Sequence, residues 1–356
     1  MQLENKQLMR LISNSNPLII HHWDADGVIS ATTLASYIGQ GIDFESPPFR
    51  YSLDKNYLEL LSLRSENHDV VIIVDLNLPS KALMEISVST NKPVISIDHH
   101  TTNDIPKSLS IVYYNPAKNG DPEGLWPSAA HVIALLTGTY DPLLISTSII
   151  GDLDNEAKNN RIFKKYMDEI GLDPENDFNI PKECAMQVWG AEALGKIDII
   201  KNLPTVLAYG GIDPCAALMR DPVLTMLKNE AEEELSNLIS KADAQLEKVF
   251  DYFYAVLING NGRLISKISR TLASKYPDKL IMIGYLAKST NDASIYIRTK
   301  RNDINFSAIS EKIKKLGYQV GGKNQANNNV IGVEIKPESL NEAYNNIVEV
   351  IKKELS

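Results

Sequence analysis

Four of the six histidines in this chain occur as two adjacent pairs, and each pair follows an apolar run. The first pair enters the stretch 22–27, which reads His-Trp-Asp-Ala-Asp-Gly, and the second ends the stretch 98–100, which reads Asp-His-His. Two more apolar runs end at or near an acid, Asp75 and Asp152. Imidazole and carboxylate groups without thiolates suit hard or intermediate divalent cations, Mn²⁺ first and Mg²⁺ as the alternative.

The elements that must position these groups are short apolar runs alternating with helix-like stretches. The runs at 18–20, 70–74 and 94–97 are typical of buried parallel strands in βα units, while 143–150 fits a helix or a strand. In open α/β sheets, ligands bind beyond the carboxyl ends of the strands, so the histidines and acids should meet in one crevice. They are numerous enough for two ions, an arrangement found in many enzymes that cleave phosphoryl bonds.

Plainer interpretations exist for each residue taken alone. A single Asp after a strand is commonly a helix N-cap, which applies to Asp75 and Asp152. The isolated His68 and His131 are predicted to be structural. The joint occurrence of both doublets with acids after apolar runs is what favours a metal site.

Strand geometry predicts which side chains of the first doublet face the site. Neighbours on a strand point to opposite faces, so His21 is expected to face away. If the chain stays extended, the same alternation places His22, Asp24 and Asp26 on one side.

Composition excludes several classes of protein. The chain has 356 residues, of which 44% are hydrophobic and 23% charged, as in ordinary globular proteins. Its apolar runs are far shorter than the ~20 residues of a membrane span, so no membrane association is expected. A net charge of −9 argues against coating nucleic acid by bulk charge, although a local basic patch would still serve an enzyme. Two cysteines and no secretory signal pattern predict a cytoplasmic protein.

Three regions are predicted along the chain. Residues 1–221 form a parallel-sheet α/β domain, and 222–250, free of Gly after Pro222 and rich in Ala, Glu, Leu and Lys, form a long connecting helix. Residues 251–356 form a smaller α/β domain, in which the Gly- and Asn-rich stretch 321–332 predicts a tight loop.

These motifs resemble those of the DHH phosphoesterase superfamily and, within it, the RecJ-like single-strand-specific exonucleases in their short archaeal form. The residues that carry the resemblance are the stretch 22–27, Asp75, the stretch 98–100, Asp152, the pair Asn115-Pro116 and the pair Asn160-Arg161. The resemblance implies a DHH domain followed by a DHHA1 domain, whose Ser-x-Arg strand and Gly-rich motif are similar to 294–298 and to Gly321-Gly322. One departure is clear: the family's histidine after the glycines is absent, and Lys323 and Asn324 follow instead.

The resemblance also implies a role for each residue. One ion would take His22, Asp24 and Asp75, and the other would take Asp26, Asp75, His99 and Asp152. Asp98 would orient an imidazole, and His100 would stabilise charge on the phosphoryl oxygens. The residues expected to contact substrate are Arg161, Arg298, Gly321, Gly322, Lys323 and Asn324.

The function implied is removal of nucleotides from single-stranded DNA or RNA, in DNA replication or repair, with the GINS replication complex as a partner. Two alternatives stay open. One is a pyrophosphatase or a phosphodiesterase of oligonucleotides or dinucleotides, against which the pair Asn160-Arg161 favours RecJ. The other is an inactive replication scaffold that binds GINS, against which stands the full set of expected ligands.

Overall fold

The computed structural model describes residues 5–39, 42–49, 53–102, 104–120, 124–325 and 328–355. For 322–325 and 328 the backbone alone is described. The chain divides into two compact units, the first comprising 1–192 and 196–228 and the second 193–195 and 229–356. No helix in these ranges is long and apolar enough to cross a membrane.

The first unit contains a five-stranded sheet in which every pairing is parallel. Its strands are β1 (Pro17–His21), β2 (Asp43–Glu45), β3 (Val70–Val74), β4 (Val94–Ile97) and β5 (Ile111–Tyr114), in the order β2-β1-β3-β4-β5. Every residue of β1, β3 and β4 is buried, as their continuous β-branched and apolar composition predicts. The strand order reverses between β1 and β3, which is where open α/β sheets bind ligands.

Twelve helices accompany this sheet in the described part of the chain. They are α1 (Asn5–Ser13), α2 (Ala25–Ile38), α3 (Lys55–Arg64), α4 (Ser80–Thr90), α5 (Ala129–Thr137), α6 (Pro142–Leu153), α7 (Arg161–Glu169), α8 (Asn179–Ala193), α9 (Ile197–Ile200), α10 (Leu203–Tyr209), α11 (Pro214–Arg220) and α12 (Pro222–Ala244). A 3₁₀ helix, Asp154–Asn159, joins α6 to α7. Helix α2 is buried through its first three turns and contacts α5, α6 and α10.

The second unit is built on a six-stranded mixed sheet in the order β10-β11-β9-β8-β7-β6. Its elements are β6 (Glu247–Phe250), β7 (Phe253–Gly260), α13 (Ile265–Lys275), β8 (Leu280–Ala287), β9 (Asp292–Thr299), α14 (Phe306–Lys315), β10 (Gln319–Gln325), β11 (Asn328–Ile335), a 3₁₀ turn (Pro337–Ser339) and α15 (Leu340–Leu355). Among the described residues of this sheet, only β7 and β8 pair in parallel. Residues such as Met282, Ile297, Ile309 and Ile347 form its core between the sheet and the helices α14 and α15.

The predicted fold class, a parallel-sheet α/β domain followed by a smaller α/β domain, is confirmed. Three local predictions change. The ambiguous run 143–150 is helical and lies in α6. The helix predicted over 222–250 ends at Ala244, because 247–250 pair with β7 across a turn at Asp251, whose φ is 36°. The loop predicted at 321–332 is mostly the antiparallel pair β10 and β11, because Ile331, Val333 and Ile335 of β11 alternate and favour a strand despite the glycines.

The predicted domain limits at 221/222 and 250/251 stay predictions. The division between the two compact units falls inside α12, between Lys228 and Asn229. This helix therefore belongs to both units.

Candidate metal centre

The first candidate ligands lie in the turn that joins β1 to α2. Strand β1 ends at His21, and the Asp24 Oδ1 accepts a hydrogen bond from the Gly27 amide at 2.9 Å, which caps α2. Asp26 therefore lies in the first turn of a helix, and the condition of an extended chain over 22–26 is not met. Capping competes successfully with extension because Asp is among the best N-cap residues. His21 is fully buried, with its ring Nδ1 2.7 Å from the His22 carbonyl oxygen.

Gly27 is required by the closeness of this turn. A Cβ at this position would collide with the carbonyl oxygen and the Cβ of His22. The helix consequently starts directly against the residue that carries the first imidazole.

Asp75 lies at the end of β3, in the middle of the candidate ligands. Its backbone is left-handed, with φ 60°, a conformation that Asp tolerates better than most residues and that is common at functional sites. Its Oδ2 lies 3.7 Å from His22 Nδ1, and its Oδ1 lies 3.4 Å from His99 Nε2 and 3.8 Å from His100 Nδ1. Asp75 thus reaches both histidine doublets.

The Asp98 carboxylate organises the second doublet. Its Oδ1 accepts hydrogen bonds from the His99 amide (2.7 Å), the His100 amide (2.9 Å) and the His100 Nδ1 (2.8 Å). Its Oδ2 accepts from the Asn77 amide at 2.6 Å. Burial alone would raise the pKa of Asp98, but the hydrogen bond and charge of His100 outweigh burial and hold it well below its usual range.

The ring of His99 is oriented by a backbone carbonyl. Its Nδ1 lies 2.9 Å from the Trp126 carbonyl oxygen, which can only accept, so Nδ1 carries the hydrogen. The Nε2 is left facing Asp152 Oδ2 at 3.1 Å and Asp26 Oδ2 at 3.7 Å. Such an arrangement is the usual one for metal-binding histidines.

Asp26 and Asp152 reach the same place from two helices. Asp26 is fully buried, and its two oxygens accept from the amides of Ala129 (2.6 Å) and Ala130 (3.0 Å) at the start of α5. Asp152 follows no strand and lies in the last turn of α6. Its apolar run is a helix, which brings the acid to the sheet edge from the side.

Three groups of side chains in the described ranges could each hold a metal ion, with ligand atoms within 4.8 Å of one another. The group His22, Asp24 and Asp75 is named here the His22 site, and the group Asp26, His99 and Asp152 the His99 site. The His22 site has the three members that the resemblance implies for one ion, and the His99 site has three of the four implied for the other, the fourth being Asp75. Their role as metal ligands stays a prediction. The third group, Asp75, His99 and His100, overlaps them.

The electrostatics of this cluster call for cations. Burial, followed by the charge of Asp152, raises the pKa of Asp26 to about 8. Burial and then the charges of Asp26 and Asp24 raise the pKa of Asp75 well above its ordinary value. Neither oxygen of Asp75 makes a well-formed hydrogen bond to any described residue. Buried carboxylates that repel one another and lack donors fit divalent cations.

Residues predicted to contact substrate occur in both units. Arg161 is the first residue of α7 in the first unit. In the second unit, Arg298 lies on β9 with only 6% of its surface exposed; burial, and then the charge of Arg270, lower its pKa to about 10. Gly321 and Gly322 lie on β10, as do the backbones of Lys323 and Asn324, whose side chains fall outside the described residues.

The two isolated histidines lie outside the three groups. His68 is buried with Nε2 3.3 Å from Asp43, and His131 is buried with Nδ1 2.9 Å from the Tyr166 hydroxyl. Sequence reasoning missed the backbone partners of the ligands, namely the Trp126 carbonyl and the amides of Ala129 and Ala130. Ser128 before an apolar run was the available signal, since it is a typical helix N-cap.

An open α/β sheet with carboxylates and imidazoles clustered at its switch point is an arrangement found in many metal-dependent enzymes. Residues 16–158 match the model of the DHH family, N-terminal domain. This match lies within the first unit, and the predicted resemblance to the DHH superfamily is confirmed. The match to this family supports a phosphoesterase activity. No curated protein matches the sequence.

Solved structures extend the likeness beyond the DHH domain. A manganese-bound structure of the exonuclease RecJ covers 98% of this chain and 94% of its own, with a TM-score of 0.67 and 16% identity. RecJ from Thermus thermophilus in complex with Mn²⁺ covers 98% of this chain at 14% identity and a TM-score of 0.67, and this chain spans 53% of that protein. The DHH domain of a member of a family of ribosomal proteins has a TM-score of 0.66 and 15% identity, covering 99% of this chain and 89% of its own. At these identities the likeness establishes a RecJ-like fold.

Proposed function

We propose that this protein is a metal-dependent exonuclease that releases nucleotides from single-stranded DNA or RNA. The observation that carries the proposal is the position of Asp75, which is itself part of the His22 site and lies 3.4 Å from His99 Nε2 of the His99 site. A carboxylate shared in this way suits two ions bound side by side. The RecJ structures of the same fold hold Mn²⁺ in two cases.

The chain would hold one ion through the His22 site and the other through the His99 site together with Asp75. Two Mn²⁺ or Mg²⁺ ions would polarise the phosphodiester and activate a water molecule. Asp75 would keep the two ions at a constant spacing, since its backbone is tied to β4 by a hydrogen bond to the Ile97 carbonyl at 3.1 Å.

His100 would act on the substrate rather than on the ions. Its side chain is 33% exposed, whereas those of His22 and His99 are 10% exposed. Its Nδ1 donates to Asp98, which orients the ring and leaves the opposite nitrogen, Nε2, for the substrate. From this position the imidazole would stabilise the charge that develops on the phosphoryl oxygens.

In the second unit, the Arg298 guanidinium would hold a substrate phosphate, since its fork matches phosphate oxygens. Arg161 and the β10 backbone at Gly321 and Gly322 would add contacts. The cellular setting proposed is the cytoplasm, in DNA replication or repair, with GINS as a partner. The role in replication or repair and the partner GINS follow from the resemblance alone.

A nuclease assay tests the proposal directly. An oligonucleotide labelled at either end is incubated with Mn²⁺, next to a duplex control. We expect stepwise shortening of the single strand, none of the duplex, and loss of activity by at least ~100-fold in Asp75→Asn, as for other residues that hold catalytic metal ions. Asp154→Asn is the matched control, because Asp154 also has a positive φ, which Asn tolerates, and lies outside the three metal groups.

The same assay separates the alternatives. Cleavage of dinucleotides or pyrophosphate with no shortening of long strands would favour the small-molecule phosphoesterase. Absence of all cleavage in Mn²⁺ and Mg²⁺ would favour the remaining alternative, an inactive replication scaffold.

A further inference from the structure

One segment of backbone, residues 124–130, contacts two ligands of the His99 site. The Trp126 carbonyl accepts from His99 Nδ1 at 2.9 Å. A few residues on, the amides of Ala129 and Ala130 donate to the two oxygens of Asp26 at 2.6 and 3.0 Å. His99 follows β4 and Asp26 opens α2, so segment 124–130 connects ligands that are far apart in the sequence.

The far end of segment 124–130 is hydrogen-bonded to α6, the helix that carries the third ligand of this site. Ser128 caps α5, its Oγ accepting from the His131 amide at 3.2 Å. The same Oγ accepts from the Ser148 hydroxyl at 3.0 Å. Ser148 lies on α6, one turn before Asp152, so the cap also sets the start of α5 against the helix that carries Asp152.

The near end of segment 124–130 is tied to α7 by Asn160. The Asn160 Nδ2 donates to the Gly124 carbonyl at 3.0 Å. Its Oδ1 accepts from the amides of Ile162 (2.8 Å) and Phe163 (3.2 Å), which caps α7. One side chain therefore anchors the segment to the start of a helix. A second hydrogen bond joins α7 to α5 directly, between the Tyr166 hydroxyl and His131 Nδ1 at 2.9 Å.

We propose that Asn160 is a positioning residue for the His99 site. It acts by holding the Gly124 end of segment 124–130, which in turn sets His99 against Asp26. The inference rests on the proposed metal centre and goes beyond it, because it predicts that the two ion sites depend unequally on α7. The hydrogen bonds described above join Asn160 and segment 124–130 to the His99 site and to α6, whereas the His22 site is built at the ends of β1 and β3.

Substitutions at Asn160 can separate this role from helix capping. Ser is also a good N-cap but is too short to donate to the Gly124 carbonyl. Asn160→Asp keeps both the cap and the side-chain shape while replacing the Nδ2 donor by an acceptor. The matched control is Asn159→Ser, since the Asn159 side-chain amide donates to Glu156 instead.

The full chain is titrated with Mn²⁺, and binding is monitored by electron paramagnetic resonance. Wild type and Asn159→Ser should bind two ions. The two ions of two-metal sites lie ~3.5–4 Å apart, so their spins should be coupled. In Asn160→Ser we expect the affinity of one ion to fall by roughly 10- to 100-fold, as is typical for partners that orient ligands. The other ion should keep its affinity and give an uncoupled spectrum at intermediate Mn²⁺ concentration.

Tyr166→Phe removes the hydrogen bond to His131 and should lower the affinity for the same ion. Two tight, coupled ions in both Asn160→Ser and Asn160→Asp would overturn the inference and leave the proposed function intact. A wild-type protein that binds no Mn²⁺ would overturn both. If Asn160→Ser fails to fold, the Mn²⁺ titrations of Asn160→Asp and Tyr166→Phe test the inference in its place.

Discussion

The carboxylate of Asp98 holds both the backbone and the ring of His100. Its Oδ1 lies 2.9 Å from the His100 amide and 2.8 Å from the His100 Nδ1. A single oxygen therefore sets the conformation of the doublet and the tautomer of its exposed imidazole.

Replacing Asp98 by Asn should lower kcat by about 10- to 100-fold, because the amide keeps the shape but loses the charge that strengthens the hydrogen bonds to His100. KM should change little. Steady-state kinetics of Asp98→Asn, His100→Ala and the double variant is the decisive measurement, since the two losses should not add if Asp98 acts by orienting the His100 ring. Additive losses would show that His100 acts without Asp98.

Mn²⁺ should stabilise the folded protein strongly. The buried acids Asp26 and Asp75 repel each other, and an ion that binds only the folded state adds about 2.7 kcal/mol at a concentration about 100 times its Kd. Thermal unfolding with Mn²⁺ and with EDTA measures this. Asp75→Asn should abolish most of the difference, and an equal shift in wild type and variant would place the ion elsewhere.

Gly27→Ala should destabilise the protein by about 2 kcal/mol or more, because the new Cβ would collide with His22. Mn²⁺ affinity should fall with it. Gly321→Ala is the control for stability, since a Cβ at Gly321 meets no described atom within 4 Å. We expect a change of at most about 0.5 kcal/mol there in urea unfolding. Equal losses in the two variants would contradict the close approach at Gly27.

We expect the folded protein to lose stability in mild acid because of the buried His21. Burial lowers the pKa of His21 from 6.5 to about 4. Between these values the unfolded chain binds a proton that the folded chain does not, so stability is complete above pH 6.5 and falls as the pH drops to about 4. The contribution is at most about 3 kcal/mol. Urea unfolding of metal-free wild type and His21→Leu from about pH 7 to 4 tests this, and parallel curves would refute it.

Arg298→Lys should raise KM for an oligonucleotide about tenfold or more with a smaller change in kcat, because Lys cannot form the paired contacts of a guanidinium with a phosphate. Arg301→Lys is the matched control. Arg301 lies nearby in the sequence, with its guanidinium paired to Asp303. Steady-state kinetics on the two variants gives the comparison, and equal KM values would remove Arg298 from substrate binding.

Much of the site was predictable from residue order. β3 reads Val-Val-Ile-Ile-Val, and such a run has few options besides a strand buried on both faces. Parallel strands end at a common edge, so Asp75 and the stretch 98–100 had to lie near each other. The type of metal ligand follows from the side chains themselves.

Two features were not predictable from local pattern. The apolar run 143–150 fits a strand and a helix equally well, and its packing in α6 against α2 decides between them. Strand alternation would have placed Asp26 only if the run 22–26 stayed extended, but the Asp24 cap starts a helix there, so Asp26 reaches the site from α2.

The sequence by itself thus determined which side chains are available as ligands and the sheet edge at which they meet. The tertiary structure alone decided what holds them in place, such as the Trp126 carbonyl on His99 and the Ala129 and Ala130 amides on Asp26. The physical reason is that nearly every residue presents the same backbone donor and acceptor. A hydrogen bond from a backbone group to a residue far away in the sequence therefore does not depend on residue type, and only the folded structure reveals it.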